Sequence, residues 1–323
     1  MRYLYSKVEV FKSLSPRTSM EYIELIRKFQ CQVKEISNIN QDITLPEFNK
    51  ILFCGMGGSG IIGNISKDIL PTEVPIFITK GYDIPDHIDK NSLVFCISYS
   101  GNTEETLSCF SQCLKKTKNI ITISSGGKLE NLSTENKIQH INVPSGLPPR
   151  AATGYLLTSV LKTLGVVIPF VDIDLLEKTG EKIGSLIKTK IPVVYTSPSL
   201  KSVGLRWQQQ LNENCKMFCV TGSFPEMNHN QINAFTNTNN SYHTILIQDK
   251  DDNSQNKKRF EFFKSQLQKQ KISFTVINVS GSISEKIIKG ILTGDFASYF
   301  LSKALCKDPF DIEIIENLKK FLA

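Results

Sequence analysis

The sequence predicts an α/β fold: two doubly wound parallel-sheet domains with helical extensions at the N- and C-terminal ends. Three observations predict it. Short apolar runs, several of them β-branched, alternate with longer segments of helical period, the pattern of strand–helix–strand units. The runs are apolar throughout, as strands covered on both faces are. The pattern also occurs twice, on either side of a change near residues 170–190, with "ILFCGMGGSGIIG" and "VVYTSPSLKSVG" in equivalent places. The expected division is 1–45 as an N-terminal helical segment, 46–175 as the first domain, and 176–323 as the second domain with a C-terminal helix.

The elements follow in order. Within 1–45, "MEYIELIRKFQCQV" places Ile23, Ile26, Phe29 and Val33 on one helix face. "KILFCG" is a strand, and a helix runs from about Gly60 to Leu70. "PIFIT", "LVFCIS", "NIITISS" and "KIQHINV" are further short strands. Among them "NTEETLSCFSQCLKK" is a helix. Asn102 or Thr103 caps its start, Glu104 and Glu105 complement its dipole, and two lysines close it. The apolar stretch Ala151–Val171 contains Lys162, Gly165 and Pro169, so a buried helix at 152–165 followed by a strand is expected in place of a membrane span. In the second half "IPVVYTS", "KMFCVT", "HTILIQ" and "SFTVINV" are strands. Helices are expected around "LKSVGLRWQQQLNEN" and over "NKKRFEFFKSQLQKQ". "SEKIIKGILTGDFASYFLSKAL" and "IEIIENLKKFL" complete the chain as helices.

Composition narrows the function classes. Apolar residues are 40% and charged residues 21% of the 323, a soluble globular balance. The net charge of +7 is moderate and its lysines are scattered. The densest cluster, "NKKRFEFFK", reads as a solvated helix face, so no nucleic-acid partner is expected. A mild positive balance suits a small anionic substrate. The eight cysteines include no CxxC; they read as small buried residues in a reducing, cytoplasmic compartment. The four histidines show no metal-ligand spacing, so no structural metal is expected. Met1 to Leu14 is charged throughout, unlike a signal peptide.

Two strand-to-helix loops carry the chemistry. The first, "CGMGGSG", is formally GxGxxG (Gly55, Gly57, Gly60). The acidic residue that a dinucleotide site requires at the end of the next strand is missing, since "PIFIT" runs into Lys80 and Gly81, with Asp83 only later. Nor is there a GK[ST] for a triphosphate. The second loop, "SYSGNTEET", crowds Ser98, Ser100 and Thr103 around a turn opened by Gly101. Hydroxyls and helix N-terminal N–H groups donate to a phosphate monoester without a full cation. Ser59 adds a donor from the first loop, beside Gly57 and Gly58. The bland alternative is that these residues only cap helices and close turns. In parallel sheets ligands gather at the carboxyl ends of strands, so the two loops are expected to converge on one phosphate.

With these loops on view, "GMGGSG" and "SYSGNTEET" resemble the sugar isomerase (SIS) domain. Together with "LPPRAA", "NENCK", "PEMNHN" and the terminal "IENLKK", the chain from residue 55 to 320 resembles the archaeal-type bifunctional phosphoglucose/phosphomannose isomerases. The resemblance implies two SIS domains and a cofactor-free aldose–ketose isomerisation of hexose 6-phosphates through a cis-enediol. It implies Glu213 as the base moving a proton between C1 and C2. It implies His229 in ring opening, lent by the neighbouring subunit of a homodimer, and Lys319 as a helper in ring opening, with Lys320 adjacent to it. Arg150 is implied as the group that holds negative charge on O1 or O2. Glu226 and Asn228 are expected to orient the His229 loop. Taken without the resemblance, Glu213 is a surface helix end, His229 an exposed loop histidine and Lys319 a last-turn lysine.

Two other functions compete. SIS domains also serve in non-catalytic sugar-phosphate-binding regulators, but residues 1–45 offer no clear helix-turn-helix. GxGxxG alone motivates a dinucleotide-dependent oxidoreductase, which the missing acidic residue argues against.

Overall fold

A computed structural model of the chain describes residues 21–39, 43–236 and 241–322. The expected helical character of residues 1–20 lies outside the described residues. Helices α1 (Tyr22–Arg27) and α2 (Phe29–Asn38) lead into β1 (Lys50–Cys54) and α3 (Gly57–Ile69). Then come β2 (Ile76–Thr79), β3 (Ser92–Ile97), α4 (Glu104–Leu114), β4 (Ile120–Ser124), α5 (Gly127–Glu135) and β5 (Gln139–Asn142). Helices α6 (Thr153–Thr163) and α7 (Ile173–Ile187) precede β6 (Ile191–Thr196) and α8 (Lys201–Cys215). The chain continues through β7 (Val220–Ser223), β8 (Tyr242–Asp249), α9 (Ser254–Lys269) and β9 (Ser273–Val279), and closes with α10 (Ile283–Ala304) and α11 (Glu313–Leu322).

Two parallel sheets result, with strand orders β2-β1-β3-β4-β5 and β7-β6-β8-β9. Their apolar strands explain themselves by register. Ile51, Phe53, Leu93 and Phe95 face one core, while the alternate Leu52, Cys54, Val94 and Cys96 face another. In the second sheet Val194, Ile245 and Ile247 share the first core, and Val193, Tyr195 and Leu246 turn to a third. Both faces of the central strands β1, β3, β4, β6 and β8 are dry, so they show no polar alternation, whereas the edge strands β2, β5, β7 and β9 are partly exposed. The shared core lies between the sheets and includes residues of α2, α3, α6, α8 and α10. α4 and α5 cover the outer face of the first sheet, and α9 that of the second through Phe260, Phe263 and Leu267. The "NKKRFEFFK" run lies on α9, whose buried residues are those same three apolar ones.

Side-chain caps start three of the helices, but not α4, where the sequence leads one to expect Asn102 or Thr103. α10 opens on a capping box, Ser282 N donating to Glu285 Oε2 (2.8 Å) and Glu285 N to Ser282 Oγ (3.3 Å). Asp172 caps α7 and Asn253 caps α9. Thr103 stands at the N-cap of α4, but its side chain accepts no backbone bond; its Oγ1 is 2.8 Å from Ser98 Oγ. Asn102 does not cap α4 either, because its Oδ1 accepts from Lys128 N of α5 (3.0 Å).

Other departures have local causes. The strand expected after the buried helix does not form: residues 166–172 are irregular, because Gly165 turns at φ +75 and Pro169 has no N–H for a ladder. The strand expected at "KMFCVT" starts later, at Val220. Lys216 ends α8 in the left-handed conformation (φ 56) and Phe218 projects into solvent. Helices α5 and α7 are additional to those expected. α7 contains Gly180 and Gly184, poor helix formers, and it begins at Ile173, ahead of the expected division at 175/176. Among the described residues no helix is long and apolar enough to cross a membrane.

Candidate active site

Both glycine-hydroxyl loops leave the carboxyl ends of adjacent strands, β1 and β3, where the strand order reverses. They are joined directly, since Tyr99 N donates to Ser59 Oγ at 3.0 Å. Ser59 and Ser98 are buried, Thr103 is half-buried and Ser100 is exposed. The Ser98 and Thr103 hydroxyls bond each other and have two protons between them, so one remains to donate outward. α3 and α4 both begin here, and neither N-cap supplies a side-chain acceptor. Their first N–H groups therefore still need partners, and the positive ends of both dipoles add to them. The arrangement has the donors to hold a small, multiply charged anion.

Arg150 and Glu213 are brought to this receptor by packing. Arg150 sits in a tight turn, Pro149–Ala151, before α6. The turn lies so close to α3 that a Cβ on Gly58 would meet Arg150 N at 2.9 Å, a contact that only glycine permits. Arg150 is 3% exposed, too buried for a cation without partners. Its Nη1 stands 3.2 Å from Glu213 Oε2, its Nε donates to Asn214 Oδ1 at 2.9 Å, and its Nη2 donates to Pro309 O. The ring of Tyr22, from α1, lies 5.5 Å from the guanidinium carbon and meets Phe310 edge-on.

Glu213, in the last turn of α8, keeps 25% of its side chain accessible. It opens onto a groove of about 650 Å³ lined by Asn212, Lys216, Phe218, Ile312, Ile315 and Asn317 among others. The stretch 311–317, which leads into and begins α11, thus supplies one wall. Lys216 ties the wall down: Nζ donates to the carbonyls of Glu213 (2.6 Å), Asp308 (3.0 Å) and Asp311 (2.7 Å). Burial pushes its pKa below the usual lysine value.

The structure therefore brings together Gly57, Gly58, Ser59, Ser98, Ser100, Thr103, Arg150 and Glu213. It does not join His229 or Lys319 to them. His229 is exposed in the turn Glu226–His229, and Lys319 and Lys320 are exposed on α11. Among the described residues neither His229 nor Lys319 bonds to Glu213 or Arg150. Glu226 accepts from Asn230 Nδ2 (3.0 Å), and Asn228 donates to Met227 Sδ (3.1 Å).

The sequence reading gave no role to the support behind Arg150. Arg206 and Asp295 form a buried pair, Nε–Oδ1 3.0 Å and Nη2–Oδ2 2.9 Å. Arg206 Nη2 also donates to the Arg150 carbonyl at 2.7 Å. An acid inside the apolar run of α10 was the available signal, because a buried carboxylate requires a partner. Nothing in the spacing named that partner.

A family model described as the bacterial phospho-glucose isomerase C-terminal SIS domain matches residues 177–322. A bifunctional phosphoglucose/phosphomannose isomerase from Aquifex aeolicus is 33% identical over 303 residues, 89% of this chain and 94% of the relative. One from Thermoplasma volcanium is 34% identical over 321 residues, 94% of this chain and 100% of that one. Among solved structures, tagatose-6-phosphate ketose/aldose isomerase from Escherichia coli superimposes with a TM-score of 0.70 at 13% identity. That match covers 93% of this chain and 96% of the other, a likeness of fold.

Proposed function

The chain belongs to the bifunctional phosphoglucose/phosphomannose isomerase family, and on that premise we propose that it interconverts glucose 6-phosphate and mannose 6-phosphate with fructose 6-phosphate. The observation that carries the reading is the direct line from anion receptor to base. The hydroxyl loops abut Arg150 at Gly58, and Arg150 lies 3.2 Å from the Glu213 carboxylate. The phosphate ester is held by Ser59, Ser98, Ser100, Thr103 and the N–H groups of α3 and α4, including Gly57 and Gly58. This leaves the carbon chain extended toward the groove. Glu213 takes the proton from C2 of the open aldose, or from C1 of the ketose, and returns it to the neighbouring carbon. Arg150, itself buried, stabilises the oxyanion of the enediol intermediate. These roles need no redox cofactor, because both carbons exchange only protons with the protein.

His229 and Lys319 act in ring opening under the same proposal, with His229 supplied by a second copy. Two features support a homodimer. Among the described residues, His229 and Lys319 are exposed and bond neither Glu213 nor Arg150 of their own chain. α11 buries none of its residues and exposes Ile314, Leu318 and Phe321 beside the groove. We also hold the two-domain division and the cytoplasmic location as proposals; all eight cysteines are free thiols, as a reducing compartment requires.

A coupled assay on the three hexose 6-phosphates with excess chelator tests the activity. Conversion among all three is expected. Absence of turnover with tight, saturable binding would favour a sugar-phosphate-binding regulator instead.

A further inference from the structure

From the contacts behind the site we infer that Asn214 is a positioning residue, which aims the Arg150 guanidinium at the reacting oxygens by holding its Nε edge from α8 and anchoring it to Ser298 of α10. The inference rests on the role proposed for Arg150.

The donors and acceptors allow one direction only. A guanidinium has no acceptor, so Asn214 must present Oδ1 to Arg150 Nε, at 2.9 Å. The amide then turns its Nδ2 the other way, donating to Ser298 Oγ at 2.9 Å. Ser298 Oγ in turn donates to the carbonyl of Asp295 at 2.8 Å. Asn214 and Ser298 are both fully buried, so water cannot replace a missing partner without new space. Each bond therefore specifies the next, and no member can flip alone.

This relay meets a second one. Asp295 also holds Arg206, which donates to the main-chain carbonyl of Arg150. Arg150 is gripped at its backbone and at its side chain, and both grips end within one turn of α10. Only Nη1 and Nη2 remain to face Glu213 and the α10–α11 connection. Glu213 and Asn214 are consecutive, one turned outward to the groove and one inward. The base and the aim of the arginine are thus set by the same helix turn.

If Asn214 only packed, its loss would lower stability and leave turnover of the folded enzyme alone. If it aims Arg150, the phosphate grip is untouched and the chemical step suffers. The test compares Asn214→Leu, Asn214→Asp and Ser298→Ala with Arg150→Ala, measuring kcat and KM for fructose 6-phosphate well below each melting temperature. For Asn214→Leu, kcat is expected to fall on the order of 100-fold with KM within about twofold of the parent. Asn214→Asp keeps the acceptor for Nε and is expected to lose less. Ser298→Ala is expected to lower kcat in the parent but not further in the Arg150→Ala background, the non-additivity of groups acting through one another. A parental kcat in folded Asn214→Leu, alongside an impaired Arg150→Ala, overturns the positioning role and leaves the site reading intact. A parental kcat in Arg150→Ala overturns the site reading itself. If Asn214→Leu does not fold, parental kcat in both Asn214→Asp and Ser298→Ala overturns the positioning role.

Discussion

Glu213 and Arg150 form a largely buried pair whose members have different tasks in the proposed mechanism. Arg150 is locked by four protein groups, whereas Glu213 touches the protein through Arg150 and remains open to the groove. An accessible carboxylate beside a fixed cation suits a two-carbon proton shuttle. Glu213→Gln preserves shape and removes the base, so turnover is expected to vanish while fructose 6-phosphate still binds; isothermal titration beside the kinetic assay separates the two. Strong residual isomerisation would unseat Glu213. In the proposed receptor, Ser100→Ala or Thr103→Ala removes a hydroxyl offered to the phosphate. Each is expected to weaken binding by roughly 1.5–3 kcal/mol with a smaller effect on kcat. Unchanged affinity in both would make the second loop a structural turn.

Elements respond to packing and to pH in distinct ways. α7 and α10 approach closely at Gly180, where a Cβ would meet Phe296 Cβ at 2.5 Å and Ala297 N at 2.8 Å. Gly180→Val would force the helices apart, at a cost of about 1–3 kcal/mol measurable by urea unfolding; a neutral result would mean that α7 is free to shift. His243 of β8 is buried against β9, with Ser273 Oγ 3.1 Å from Nδ1 and Thr275 Oγ1 2.9 Å from Nε2. Burial, with a smaller push from Lys190, lowers its pKa to about 4. An unfolded histidine titrates near 6.5, so between about 6.5 and 4 the unfolded chain binds more protons and stability falls as pH falls. His243→Gln is expected to remove up to about 3 kcal/mol of the stability difference between pH 7 and pH 4. An identical difference in parent and variant would show that β8 tolerates the charged ring.

At the scale of the whole molecule, one core continues between the two sheets, and the site lies where α3, α8 and the α10–α11 connection meet. The proposed dimer adds what one chain lacks. Chains carrying Glu213→Gln mixed with chains carrying His229→Ala are expected to regain part of the activity through heterodimers that hold one intact site. No recovery after refolding the mixture, with dimers seen by sedimentation, would show that His229 is not lent across the interface.

Much of this protein was legible along the chain. The apolar strand runs and the glycine-hydroxyl loops are local signals: most of the runs form strands, the runs at 166–172 and 216–219 do not, and both loops stand at strand-to-helix turns. The missed pieces are those whose meaning is a distant contact. Residues 150 and 213 carry no mark of standing 3.2 Å apart, and nothing around Asn214, Ser298 or Asp295 announces a hydrogen-bond relay. Thr103 shows the limit within a single loop, since its sequence position reads as a cap while its hydroxyl turns to Ser98. Short-range preferences act through the backbone and neighbouring side chains, so sequence alone determined the sheets and the anion loops. Which buried polar groups face one another depends on how helices from both halves pack, and only the tertiary structure decided that.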